Sequence, residues 1–115
     1  MLDSDQFGEI LLGHPVHADG RLVYALEGEI DMSNAALLAE RLRILASEHR
    51  HRVEIDMAGV AFVDSAGLDA LLKVSEMLKT SNGSLILRNP PPSFLRLVDI
   101  LAMEDLFTIE GDGER

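Results

Sequence analysis

Ser65 follows Asp64 directly and stands two residues before Gly67, in the stretch Phe62-Val63-Asp64-Ser65-Ala66-Gly67-Leu68 that joins an apolar segment to a run of helical spacing. A hydroxyl beside a carboxylate at the mouth of a helix sits on a rigid frame, where chemistry or recognition can be held in place. Such a hydroxyl can attack a substrate, accept a group from a partner, or cap the helix. Capping is the plainest of these, because a Ser or Asp oxygen there accepts a first-turn N–H at a gain of ~0.5–2 kcal/mol. A capping hydroxyl at the surface is still open to modification.

Other chemistries fail on spacing. A serine-hydrolase turn needs glycines two residues before and two after the serine, and Val63 occupies the first of those places. His14, His17, His49 and His51 all precede Ser65, so the order Ser, acid, His cannot be assembled. Neither His14 with His17 nor His49 with His51 has further ligands at metal-site spacing, so no metal is expected. A phospho-aspartate receiver would begin strand then helix and carry a late lysine, whereas this chain begins with a hairpin pattern and has Arg88 in its late strand. No Walker or dinucleotide glycine loop occurs. The chain is not expected to be an enzyme, and no cofactor is expected.

Charge narrows the partners. Twenty Asp and Glu against ten Lys and Arg leave a formal net charge of -10, a field that repels nucleic acid and anionic membranes. Cysteine is absent, and no stretch approaches the ~20 apolar residues that cross a bilayer. The N-terminus has two acids in its first five residues and no basic flank, unlike a secretory signal. A soluble, cytoplasmic domain is expected. At 115 residues and 47% apolar, the chain reads as one domain over 1–115, with 1–8 and 111–115 as loose tails.

The elements that must position Ser65 follow from periodicity. Two apolar-rich runs, Glu9 to His17 and Arg21 to Gly28, flank Ala18-Asp19-Gly20 and predict an antiparallel hairpin. Ser33 is placed to cap a first helix over 34–48, with Ala35, Leu38, Leu42 and Leu45 on one face, and His49 through Arg52 closing it. Val53 to Met57 predicts a strand, and Ala58-Gly59 a turn. Leu68, Leu71, Leu72, Ser75 and Leu78 mark the inner face of a second helix. Ser84 to Arg88 is a covered strand. Prolines 90, 91 and 92 then break the chain, and from Ser93 a third helix carries Phe94, Leu97, Val98 and Leu101 before a last strand over 106–109. This alternation predicts an α/β fold with a mixed sheet opened by the hairpin. Asp31, Asp56 and Asp64 each follow a strand-like segment and could share the rim where such sheets meet ligands and partners.

The loop Asp64-Ser65-Ala66-Gly67-Leu68 strongly resembles the Asp-Ser-x-Gly-Leu signature of STAS domains, in particular the bacterial anti-sigma factor antagonists. Leu26-Glu27-Gly28-Glu29-Ile30-Asp31 is similar to the family's L-x-G-E-[LI]-D segment. Ile55 to Val60 resembles its strand-and-turn entry, and Pro92 to Phe107 its closing helix and strand. The resemblance implies that Ser65 is phosphorylated by an anti-sigma factor that is also a serine kinase, and that a phosphatase resets it. Unphosphorylated protein would bind that partner and release a sigma factor. Some members carry a second serine where this chain has Ala66. The implied contact surface is Asp64, Ser65, Ala66, Gly67 and Leu68, joined by Asp31, Met32 and Ser33 if the two strand ends are neighbours. Gly67 admits two readings, backbone packing or close approach of a partner. The alternative function within the same fold is a constitutive binding subunit, such as a lipid-transporter accessory protein, in which Ser65 is a cap and contact only.

Overall fold

A computed structural model describes residues 10–12, 16–18, 21–48 and 52–111. The elements run β1 (Ile10–Leu12), β2 (Val16–Ala18), β3 (Arg21–Ile30), α1 (Ala35–Glu48), β4 (Arg52–Val63), α2 (Ser65–Thr80), β5 (Ser84–Arg88), α3 (Pro92–Ile100), a 3-10 turn (Glu104–Leu106) and β6 (Thr108–Glu110). The body of the sheet, in the order β3-β4-β5-β6, is all parallel. Antiparallel pairing is confined to the outer edge of β3, where β1 pairs around Leu26 to Gly28 and β2 around Arg21 to Val23. The sheet is therefore opened not by two matched hairpin strands but by two three-residue pieces on one long strand. The expected turn at Asp19-Gly20 lies outside the described residues, as do 1–8, 112–115, His14, His49 and His51.

Parallel strands need crossovers, and the helices supply them while covering one face of the sheet. Leu38, Leu42 and Ala46 of α1 and Leu68, Leu71, Val74 and Leu78 of α2 pack with Val53, Ile55, Met57, Leu85 and Leu87 in one core. Arg52 opens β4 rather than closing α1, because its neighbour Val53 is already in register with Leu85. On the alternate face of β4, Glu54 is fully buried with its carboxylate between Arg52 Nε (3.3 Å) and Arg88 Nη1 (3.6 Å). Arg88 also reaches Glu110 at 3.1 Å, which ties β4, β5 and β6 together by charge. A buried carboxylate is tolerable only with such partners.

The expected turn at Ala58-Gly59 is instead part of a strand of 12 residues. β4 bulges twice against β3, first where Ala25 and Glu27 pair Asp56 and Gly59, and again where Gly28 and Glu29 pair Val60 and Phe62. Each bulge adds one residue to β4, and the second falls at Gly28, whose φ of 114° favours glycine. Bulges and turns use the same residue types, which is why the sequence reads as a turn there. β5 pairs only Arg52 to Asp56, so the far half of β4 has lost its sheet neighbour on that side. There Ser93 of α3 provides an acceptor, its Oγ 3.0 Å from Val63 N.

Candidate functional site

The site forms where the neighbouring ends of β3 and β4 turn into α1 and α2, since Ile30 is in register with Val63. Asp64 leaves the strand with φ -99° and ψ -174°, outside helical space, and its backbone N–H donates to Ile30 O at 3.0 Å. Its Oδ1 then accepts the Gly67 N–H at 2.9 Å. Asp64 is therefore the N-cap, and Ser65 is the first residue of α2. The hydroxyl is carried on an exposed residue whose backbone is fixed on both sides.

The second carboxylate oxygen of Asp64 accepts the Met32 N–H at 3.2 Å. One side chain thus holds both loops, and Met32 and Ser33 lie on the same rim as Ser65. Met32 is 79% exposed, the largest apolar exposure at this end. Exposed Phe62 lies on the strand that leads into the loop.

The Asp31 side chain folds its own turn. Its Oδ1 accepts the Ser33 hydroxyl at 2.6 Å and the Ser33 N–H at 2.9 Å. These hydrogen bonds, the hydroxyl first and the amide second, hold the Asp31 carboxyl below its ordinary pKa. Ser33 was expected to cap α1, yet the residue immediately before that helix is Asn34. Asn34 is buried, with Oδ1 accepting from Asp31 N at 3.0 Å and Nδ2 donating to Glu29 O at 2.8 Å. Its importance was missed because Ser and Asn are equally good turn and cap formers, and only burial separates them.

Three other expectations change. Asp56 does not share the rim: it sits within β4, about 20 Å back along the strand, accepting from Ala58 N and Asn89 Nδ2 at the first bulge. Leu68 is in the core and supports the loop from beneath, so its side chain is not part of the surface. Gly67 is also buried, and a Cβ there would lie 2.7 Å from Ile30 Cγ2, 3.0 Å from Val63 Cγ1 and 3.1 Å from Ile30 O. Of the two readings of Gly67, the structure supports packing, because the strand ends occupy the space a side chain would need. The accessible rim comprises Ser65, Ala66, Met32 and Ser33, edged by the half-buried carboxylates of Asp31 and Asp64.

Among the described residues, no cluster of His, Cys, Asp and Glu is arranged to hold a metal ion, and no helix is long and apolar enough to cross a membrane. What remains is an exposed hydroxyl on a fixed helix start, beside two carboxylates and one large apolar side chain. That arrangement suits protein recognition and modification.

Comparison with known proteins gives a consistent result. The STAS domain family model matches residues 14–113. The anti-sigma-B factor antagonist of Bacillus subtilis is 35% identical over 89 residues, covering 77% of this chain and 81% of its own. The crystal structure of an anti-sigma factor antagonist from Mycobacterium paratuberculosis superposes with a TM-score of 0.75 at 25% identity, over 88% of this chain and 85% of that one. The Bacillus cell-fate determinant SpoIIAA, solved in its phosphorylated form, shares the fold with a TM-score of 0.60 at 20% identity, over 92% of this chain and 95% of that one.

Proposed function

The chain belongs to the STAS-domain family, and from that premise we propose that it is an anti-sigma factor antagonist switched by phosphorylation of Ser65. The observation that carries this reading is the exposed Ser65 at the first position of α2, on a rim that Asp64 ties to Met32. Unphosphorylated, this rim binds an anti-sigma factor with serine kinase activity, and the sigma factor is released. A phosphatase restores the rim after phosphorylation.

Phosphate at Ser65 adds about -1.5 to -2 charges and strong acceptor oxygens. At a helix N-terminus the dipole favours such charge by ~0.3–1 kcal/mol, so α2 stays folded. The surface changes instead. A dianion then stands beside Asp64 and near Asp31, on a rim whose apolar contribution comes from Met32 and Ala66. A partner packed there meets a steric block and a desolvation cost, and a loss of ~3–4 kcal/mol lowers affinity several hundredfold.

The test is phosphate mapping by mass spectrometry on protein purified from its own cells, followed by partner pull-down with Ser65→Ala and Ser65→Asp. The reading expects phosphate on Ser65 and a kinase-like partner retained by the Ala form and lost by the Asp form. Unmodified Ser65, with one partner bound equally by both forms, would establish the constitutive subunit instead.

A further inference from the structure

The exit of α3 departs from the usual rule that large apolar side chains are covered. Ile100, the last residue of the helix, is 68% exposed, Leu101 49% and Leu106, on the following 3-10 turn, 38%. These residues are not on a loose end. The helix closes in a Schellman pattern, with Met103 N donating to Val98 O at 2.9 Å and Ala102 N to Asp99 O at 3.2 Å. Ala102 takes φ 55°, the left-handed conformation normally left to glycine. Met103 is packed against the core, which anchors the turn from below. The apolar side chains are therefore presented to solvent by a fixed backbone.

Acids predominate around the patch. Asp99, Glu104 and Asp105 are exposed among these apolar residues, against one exposed cation on the same helix, Arg96, a turn before Ile100. This face lies away from the Ser65 rim, since Ser93 on the first turn of α3 meets Val63 and Ile100 is about 10 Å further along the helix.

We infer that the C-terminal end of α3 with its 3-10 turn is a second docking face, for a basic amphipathic helix on a protein partner. Apolar contact with Ile100, Leu101 and Leu106 supplies the centre of such an interface, and Lys or Arg flanks on the partner meet Asp99, Glu104 and Asp105 at its edge. A second copy is a poorer occupant, because it brings the same acids and a net charge of -10. An anionic lipid surface is repelled by the same edge.

The probe is a labelled synthetic helix with Leu along one face and Lys on its flanks, read by fluorescence anisotropy against the full chain. A peptide of identical composition in scrambled order, which lacks the apolar face, controls for the attraction of any cation to an acidic protein. The wild type should bind the amphipathic peptide at least about tenfold more tightly than the scrambled one. Leu101→Ser with Leu106→Ser should remove that preference and lower the unfolding midpoint, because each leucine is about half covered, while the unfolding stays cooperative and the variant is folded at the assay temperature. Glu104→Lys with Asp105→Lys should weaken binding several-fold and flatten its salt dependence. Ser65→Asp should bind as the wild type does. Equal binding of both peptides, full affinity in the Leu101/Leu106 variant, or loss of binding in Ser65→Asp would overturn the inference. Self-association abolished by the Leu101/Leu106 variant in sedimentation velocity would also overturn it, in favour of a second copy.

Discussion

Replacing Asp64 separates its two jobs, because only one of them needs a carboxylate. Oδ1 caps α2 through Gly67 N at 2.9 Å, and Oδ2 holds the Met32 N–H at 3.2 Å. Asn keeps an amide oxygen that can accept from Gly67, but its amide nitrogen cannot accept from Met32. Ala keeps neither. Loss of a cap costs ~0.5–2 kcal/mol, and loss of a negative charge at a helix start ~0.3–1 kcal/mol. Met32 is exposed, so water takes over its N–H and adds little to the total. Asp64→Ala should therefore lose about 1.5–2 kcal/mol and Asp64→Asn only about 0.3–1 kcal/mol. With a urea dependence of roughly 1.5 kcal/mol per molar, the unfolding midpoint falls by about 1 M for Ala and by about 0.2–0.7 M for Asn. In both variants the Met32 amide resonance should shift, since both lose its acceptor. A midpoint for Ala equal to that of the wild type, or an Asn variant as unstable as Ala, would refute the assignment of Asp64 as the cap. An unmoved Met32 amide would refute the tie between the loops.

Gly67→Ala should destabilise the fold by about 1 kcal/mol, as overpacking of ~1–3 kcal/mol against Ile30 and Val63 outweighs the ~1 kcal/mol gained in helix propensity. A higher thermal midpoint in that variant would show that the strand ends yield freely. Asp31 should titrate below the usual Asp range in an NMR pH series, and Ser33→Ala should move it upward by removing the hydroxyl donor. The sign is that of a depressed carboxyl: its contribution is present above the unfolded-state pKa and is lost as pH falls through the lower folded value. Identical Asp31 titration in the wild type and Ser33→Ala would exclude the hydroxyl as the cause.

Much of the fold was legible because it depends on local periodicity. The spacing of Leu38 and Leu42 in α1, of Leu68, Leu71 and Leu78 in α2, and of Phe94 and Val98 in α3 places all of them in the core. Prolines 90–92 put α3 at Pro92, and the short apolar run Ser84 to Arg88 is β5 as it reads. Ser65 at the mouth of a helix was equally legible, because a carboxylate, a hydroxyl and a glycine before an apolar run have few other uses.

Tertiary structure decided what depends on partners distant in the chain. Whether Ala58-Gly59 turns or bulges depends on β3 continuing alongside, with Gly28 absorbing the second extra residue. Which oxygen caps α2 depends on Asp64 also reaching Met32, 32 residues earlier. Whether Gly67 and Leu68 face a partner or the core depends on Ile30 and Val63 filling the space beneath them. The sequence therefore placed the hydroxyl, through residue types and spacings within one turn of helix. The fold defined the surface around it, because burial is a property of what packs against a residue and not of its neighbours in the chain.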